Sequence, residues 1–109
     1  MRVILWYRVP SAQLQPLAET YRQISEQIAD APGLVSNEFL HSFDDPGTVV
    51  VTSEWESHRQ LQDWINSPGH RHTAPIRPYL DVGRDRPYET FAVLTSFRRR
   101  PVSGRPRGA

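Results

Sequence analysis

The chain has 109 residues, a length that fits one domain and leaves no room for two. It contains no cysteine, which excludes disulfides, thiolate metal sites, iron–sulfur ligation and cysteine nucleophiles. All thirteen basic residues are arginine, and five of them lie in residues 98–109. Residues 1–97 carry eight arginines against twelve acidic residues. A domain with this net negative charge is a poor nucleic-acid binder.

The first predicted elements are a strand and a helix. Residues 2–9 are β-branched and aromatic and end at Pro10, which is typical of a strand. Apolar residues at spacings of three and four then predict a helix over residues 11–31. Ser11 is a candidate N-cap, or the regular part begins later, with Pro16 at its first position.

A β-hairpin follows. Residues 34–43 alternate between two faces, and residues 48–56 read as a second strand. Asp45-Pro46-Gly47-Thr48 between them predicts a type II turn, with proline and glycine at its central positions. One face of the first strand is predicted to carry Val35, Asn37, Phe39, His41 and Phe43.

The second half predicts a helix, a break and a last strand. Ser57 is a good N-cap for a helix with Leu61 and Trp64 on one side, and Ser67-Pro68-Gly69 interrupts it. Residues 70–80 are predicted to resume as a shorter helix. Residues 88–97 are predicted to form the final strand. Residues 98–109 are rich in Arg, Pro and Gly and are predicted to form a flexible tail.

The element order βαββαβ predicts a ferredoxin-like α+β domain over residues 1–97. Its four-stranded antiparallel sheet has the first and third strands in the centre and both helices on one face. Apolar residues at alternating strand positions, such as Val3, Leu5 or Val49 and Val51, suggest a homodimer that packs sheet on sheet. The longest apolar run, residues 3–7, is too short for a membrane span or a signal-peptide core, so we expect a cytoplasmic protein without a membrane partner.

Several segments together resemble the antibiotic biosynthesis monooxygenase superfamily over residues 2–95. The resemblance is carried by Ala31-Pro32-Gly33-Leu34, the hairpin, Glu54-Trp55-Glu56-Ser57, Trp64 and Ser67-Pro68-Gly69-His70. It implies a small dimeric α+β barrel. The family includes cofactor-independent oxygenases that convert polyphenolic intermediates into quinones, and haem-degrading enzymes; polyketide cyclases and isomerases share the barrel.

The haem-degrading branch fits this chain less well than the others. That branch pairs an Asn in the first strand with a Trp on the second helix and a ligating His ten residues after the Trp. This chain has Tyr7, Trp64 and Ala74 at the corresponding positions, so two of the three residues are missing.

The candidate catalytic residues are His70, Asn37 and Trp64. Trp64 is expected to wall a cavity between the sheet and the second helix, a position that in the family borders the cavity. The His70 imidazole would take a phenolic proton near neutral pH, and the Asn37 amide would hold the resulting oxygen anion. Candidate substrate-binding residues are Tyr7, Phe39, His41, His72 and Arg77.

We expect neither a metal nor a cofactor. His70 and His72 lack a clear third ligand, and no nucleotide-binding motif is present. The favoured function is therefore a cofactor-independent monooxygenase that uses dioxygen on an aromatic or polyketide-derived small molecule. The alternatives are a cyclase or isomerase on the same barrel, and a non-catalytic dimeric ligand-binding or accessory protein.

Overall fold

Four strands and three helical segments follow one another along the chain. The computed structural model describes residues 1–101 and contains β1 (Arg2–Arg8), α1 (Ser11–Gln27), β2 (Leu34–His41), β3 (Thr48–Trp55), α2 (His58–Ile65), a 3₁₀ helix (Pro68–Tyr79) and β4 (Tyr88–Phe91). The strands form one antiparallel sheet in the order β2-β3-β1-β4. The predicted ferredoxin-like α+β fold, with β1 and β3 in the centre, is confirmed.

Strand alternation and the stripe of α1 build the core on one face of the sheet. Tyr7 and Val49 are cross-strand partners, and their side chains are buried together with those of Leu17, Tyr21 and Ile24 from α1. Burying one such large apolar side chain contributes about 1.5–3 kcal/mol. The sequence predicted that Val3, Leu5, Val49 and Val51 lie on an open sheet face. In the structure these side chains lie on the face that the helices cover.

The opposite face of the sheet is not covered by any helix within residues 1–101. Side chains that alternate with the core residues point to it, and among them are Ile4, Trp6, Leu40, Val50 and Phe91. Leu40 and Phe91 are each 42% exposed, and the guanidinium carbon of Arg84 lies 4.2 Å from the Trp6 ring centre. Exposed apolar patches on a sheet face are a feature that interaction surfaces share.

A β-bulge in β2 changes which side chains face the helices. The pairing register shifts between Leu34 and Ser36, so that Leu34 lies opposite Trp55 and Val35 is the extra residue. Val35 is 54% exposed, which corrects its predicted place beside Asn37 and Phe39. The bulge leaves Asn37 on the helix-covered side, opposite Ser53.

The helix boundaries differ from prediction where proline intervenes. The first helix begins at Ser11, which is therefore not its N-cap; Pro10 holds that position without a side-chain cap, and Pro16 lies inside the helix. Ser57 does cap α2, accepting a hydrogen bond from the Gln60 N–H at 3.1 Å. The predicted third helical segment is a 3₁₀ helix containing Pro75 and Pro78, which remove two backbone donors.

Gly33 joins α1 to β2 in a conformation that favours glycine. Its φ is +87°, and an added Cβ would lie 2.6 Å from the Gln60 side chain. We expect Gly33→Ala to lower the free energy of unfolding by about 1–2 kcal/mol, measured by urea denaturation. Gly69→Ala is the matched control because a Cβ there meets nothing closer than 3.6 Å. Equal effects of the two substitutions would contradict the conformational argument.

The last strand is shorter than the predicted residues 88–97. Phe91 pairs with Arg2 at the start of β1, and past this point the sheet offers no neighbouring strand. Residues 92–101, which we call the C-terminal arm, are all exposed, with Leu94 at 91% and Phe97 at 92%. The predicted tail, residues 98–109, begins within this arm, and residues 102–109 lie outside the described part of the chain.

None of the helices in residues 1–101 is both long enough and apolar enough to cross a lipid bilayer.

Candidate active site

A cavity of about 500 Å³ lies between the sheet and the helices that cover it. Residues of β1, β2, β3, α1, α2 and the 3₁₀ helix line it, and most of the lining side chains are apolar. Its volume falls within the range of small-molecule sites. Polar groups reach it from several elements, among them Tyr7, Asn37, His70, Thr73 and Arg77.

Trp64 forms an aromatic wall of the cavity. The Ser57 cap starts α2 at His58, and Leu61 and Trp64, three residues apart, then share the face that packs on the sheet. The Trp64 ring centre lies 5.5 Å from that of Trp55 at the end of β3. This pair fixes one aromatic plane beside which a second ring can stack.

His70 reaches the same wall because the chain turns after α2. The 3₁₀ helix starts at Pro68, and the His70 ring meets the Trp64 ring edge to face, with centres 4.8 Å apart. Arg77, two turns later, donates from Nη2 to the His70 Nδ1 at 3.2 Å and to the His70 carbonyl oxygen at 3.0 Å. Burial, and secondly the charge of Arg77, lower the pKa of His70.

Asn37 reaches the cavity from the inner face of β2. Its Oδ1 accepts a hydrogen bond from the Ser25 Oγ of α1 at 3.3 Å. That contact orients the amide. The Asn37 NH₂ group has no hydrogen-bond partner in residues 1–101. The Asn37 side chain therefore offers the cavity a hydrogen-bond donor.

Two tyrosines place hydroxyl groups at the cavity. Tyr7 of β1 is 4% exposed, and its hydroxyl makes no hydrogen bond to any side chain or backbone atom of the described range. Burial and the neighbouring Tyr21 raise the pKa of Tyr7, while burial raises the pKa of Tyr21 to about 12. Both phenols are thus neutral donors over the physiological pH range.

Three of the predicted substrate-binding residues lie outside the cavity wall. Phe39 packs behind it, with its ring centre 5.3 Å from that of Tyr21. His41 Nε2 lies 2.9 Å from the Pro46 carbonyl oxygen at the hairpin turn, and His72 is exposed on the 3₁₀ helix. The cavity brings together the other five predicted residues, which are His70, Asn37, Trp64, Tyr7 and Arg77.

Sequence reasoning missed five polar lining residues: Tyr21, Ser53, Gln62, Thr73 and Tyr88. Tyr21 belongs to the apolar stripe of α1, and the signal that distinguishes it is a hydroxyl in an otherwise aliphatic stripe. Thr73 accepts from Arg77 Nη2 at 3.1 Å, a contact that depends on the 3₁₀ geometry and leaves no mark in the sequence.

Within residues 1–101, no three His, Asp or Glu side chains come close enough together to hold a metal ion.

Comparison with known proteins defines the family. The antibiotic biosynthesis monooxygenase family model matches residues 1–75, and the chain belongs to this family. The 42.8 kDa protein in the whiE locus of Streptomyces coelicolor is 33% identical over 110 residues, covering 100% of this chain and 27% of that protein. Protein SchA of Streptomyces halstedii is 30% identical over 81 residues, covering 73% of this chain and 21% of that protein. The chain thus spans about a quarter of the length of these relatives.

The fold recurs in solved structures. SnoaB, a cofactor-independent oxygenase from Streptomyces nogalater, superposes with a TM-score of 0.67, over 87% of this chain and 93% of that one. The two sequences are 16% identical. Rv0793 from Mycobacterium tuberculosis superposes with a TM-score of 0.65 at 19% identity, over 87% and 95% of the two chains.

Proposed function

We propose that the chain is a cofactor-independent monooxygenase that oxidises a phenol ring with a free para position, in an aromatic, polyketide-derived molecule, to a quinone. The observation that carries this proposal is the cavity of about 500 Å³, apolar for most of its surface and walled by Trp64, with hydrogen-bonding side chains at defined places. Such a cavity suits a flat, fused-ring molecule with a few oxygen substituents.

The reaction balances without a resident redox group. A phenol with a free para position loses its hydroxyl hydrogen and its para hydrogen. One atom of dioxygen becomes the new carbonyl oxygen, and the other leaves with both hydrogens as water. The ring supplies all the electrons, so the protein needs only to bind the ring, favour the phenolate and stabilise the developing oxygen anions.

The proposed roles follow the positions of the side chains. Trp64 stacks on the ring, the Asn37 NH₂ group donates to a substrate oxygen, and His70 contacts the oxygen that loses its proton. Membership of the antibiotic biosynthesis monooxygenase family supports the reaction class. The description of SnoaB as a cofactor-independent oxygenase supports oxygen chemistry without a cofactor. That the substrate is polyketide-derived is a further element of our proposal.

Oxygen consumption tests the function. We expect naphthols and dihydroxynaphthalenes with a free position para to a hydroxyl group to be converted with uptake of one molecule of dioxygen per molecule of substrate. With ¹⁸O₂, one labelled atom should appear in the quinone by mass spectrometry. Equal product formation under nitrogen would indicate a cyclase or isomerase, and binding without turnover would indicate a ligand-binding protein. Either result would contradict the proposal.

We further propose that the domain works as a homodimer. The support is the open sheet face with Ile4, Trp6 and Val50 on it, together with the exposed C-terminal arm. A second copy of this chain offers an apolar sheet face that matches the exposed apolar side chains of the arm.

A further inference from the structure

The contact between Arg77 and His70 has a direct chemical consequence. Arginine carries five N–H donors and no acceptor, and it stays charged at any physiological pH. Its Nη2 lies 3.2 Å from the His70 Nδ1, and this contact is attractive only when Nδ1 carries no proton and accepts the hydrogen bond. The same Nη2 lies 3.0 Å from the His70 carbonyl oxygen and 3.1 Å from the Thr73 Oγ1, so its two hydrogens are shared among three acceptors, which together hold the guanidinium in place.

A neutral imidazole that accepts at Nδ1 carries its proton at Nε2. The His70 Nε2 forms no hydrogen bond within the part of the chain that the structure describes, and the ring lines the cavity. To act as a base, His70 would have to take a second proton at Nδ1, directly against an N–H of Arg77. Burial and the Arg77 charge both oppose that imidazolium, in keeping with the lowered pKa of His70.

We infer that Arg77 locks His70 as the neutral Nε2–H tautomer, and that the cavity binds its substrate as a phenolate whose oxygen accepts a hydrogen bond from that Nε2. This inference rests on the proposed function and gives His70 a donor role in place of the base role predicted from the sequence. Arg77 is the positioning residue. The phenolic proton goes to solvent before the anion binds.

The other groups around the cavity agree with an anionic ligand. Its titratable lining groups in residues 1–101 are His70, Arg77, Tyr7, Tyr21 and Tyr88, and no carboxylate of this range lines it. Arg77 therefore supplies the formal charge of the lining at neutral pH. The Tyr7 hydroxyl lines the cavity without a hydrogen-bond partner in residues 1–101 and is a second donor for another oxygen of the same substrate.

The tautomer can be measured on the free protein, without any substrate. In two-bond ¹H–¹⁵N correlation spectra, we expect the His70 Nδ1 to resonate as an unprotonated nitrogen and Nε2 as a protonated one. This pattern should persist from pH 8 down to below about 6.5, where an ordinary histidine is half protonated. In Arg77→Met, the ring should become a tautomer mixture and titrate nearer the ordinary range. An Nδ1–H tautomer or an imidazolium at neutral pH in the wild type would overturn the inference.

The preference for an anion has its own test. The chromogenic probe 4-nitro-1-naphthol reports its ionisation by absorbance, and a site that binds the phenolate lowers its apparent pKa. We expect a decrease of at least about one unit, a tenfold preference, that disappears in Arg77→Met and persists in His58→Ala. An unchanged or raised probe pKa, or no binding at millimolar protein, would overturn the inference.

Side-chain replacements separate a donor from a base. A glutamine at position 70 places an N–H near the Nε2 position but cannot take up a proton. His70→Gln should therefore keep activity within about tenfold of the wild type, while His70→Ala loses much more. Equal losses in the two variants would indicate a base. If no naphthol is oxidised, the proposed function fails, and the spectra and probe titration still decide the inference.

Discussion

Replacement of His70 by alanine is expected to lower turnover about 10²–10³-fold while leaving the chain folded. The imidazole touches both Trp64 and Arg77 at the cavity wall. Loss of a single donor to a developing oxygen anion typically costs about 10²–10³-fold in rate. Steady-state oxygen consumption gives the rate, and circular dichroism with thermal unfolding confirms the fold.

His58→Ala is the matched control for this experiment. His58 is exposed at the start of α2 and contacts Gln62 there, without lining the cavity. The His58→Ala variant loses an imidazole near the site but not one that lines the cavity, so the turnover of this variant should stay near that of the wild type. Full activity in both variants would remove His70 from the mechanism.

The fold was predictable because its signals are local. Alternation in residues 2–9 and 48–56, the cap at Ser57 and the turn at Asp45–Thr48 are each decided by neighbouring residues, and each element lies where it was expected. The turn is not the predicted type II turn, because Gly47 lacks the positive φ that the second central position of that turn requires. The bulge beside Val35 was not predictable, because the extra residue is defined only by the pairing with Trp55 and Glu54. A period-two pattern carries no information about a register shift.

The site residues were predictable where a residue's position in a helix or strand decides which face of that element it lies on. Trp64 and Asn37 reach the cavity because each lies on the inner face of a regular element, and faces can be derived from spacing. His41 shares the inner face of β2 but lies near the end of the strand, where its imidazole contacts the Pro46 carbonyl oxygen of the hairpin turn. The tautomer of His70 depends on its contact with Arg77 seven residues later, and a spacing pattern predicts a shared helix face but not which atoms of the two side chains meet.

The short β4 shows the limit of strand prediction from composition. Residues 92–97 have the β-branched and aromatic character of a strand, but Phe91 already pairs with the second residue of the chain. A strand needs a neighbour, and none remains on this sheet. The same composition predicts that the arm finds a partner elsewhere.

Deletion of the C-terminal arm is expected to convert a dimer into a monomer. Val93, Leu94 and Phe97 are 42%, 91% and 92% exposed, and burying a large apolar side chain on a second copy is worth about 1.5–3 kcal/mol. The arm also carries unpaired backbone donors and acceptors that a second sheet can satisfy. Truncation after Phe91 should therefore give the mass of one chain by light scattering at micromolar concentration.

Two controls make this result specific to the apolar part of the arm. Truncation after Phe97 removes residues 98–109, which contain few apolar side chains, and should leave dimer and turnover intact. Leu94→Asp should disrupt the dimer, whereas Val82→Asp, at a position that is 85% exposed outside the arm, should not. A wild-type mass near 12.6 kDa would contradict the dimer itself. A dimer that survives truncation after Phe91 would assign the interface to the open sheet face alone, because Ile4, Trp6 and Val50 remain there when the arm is gone.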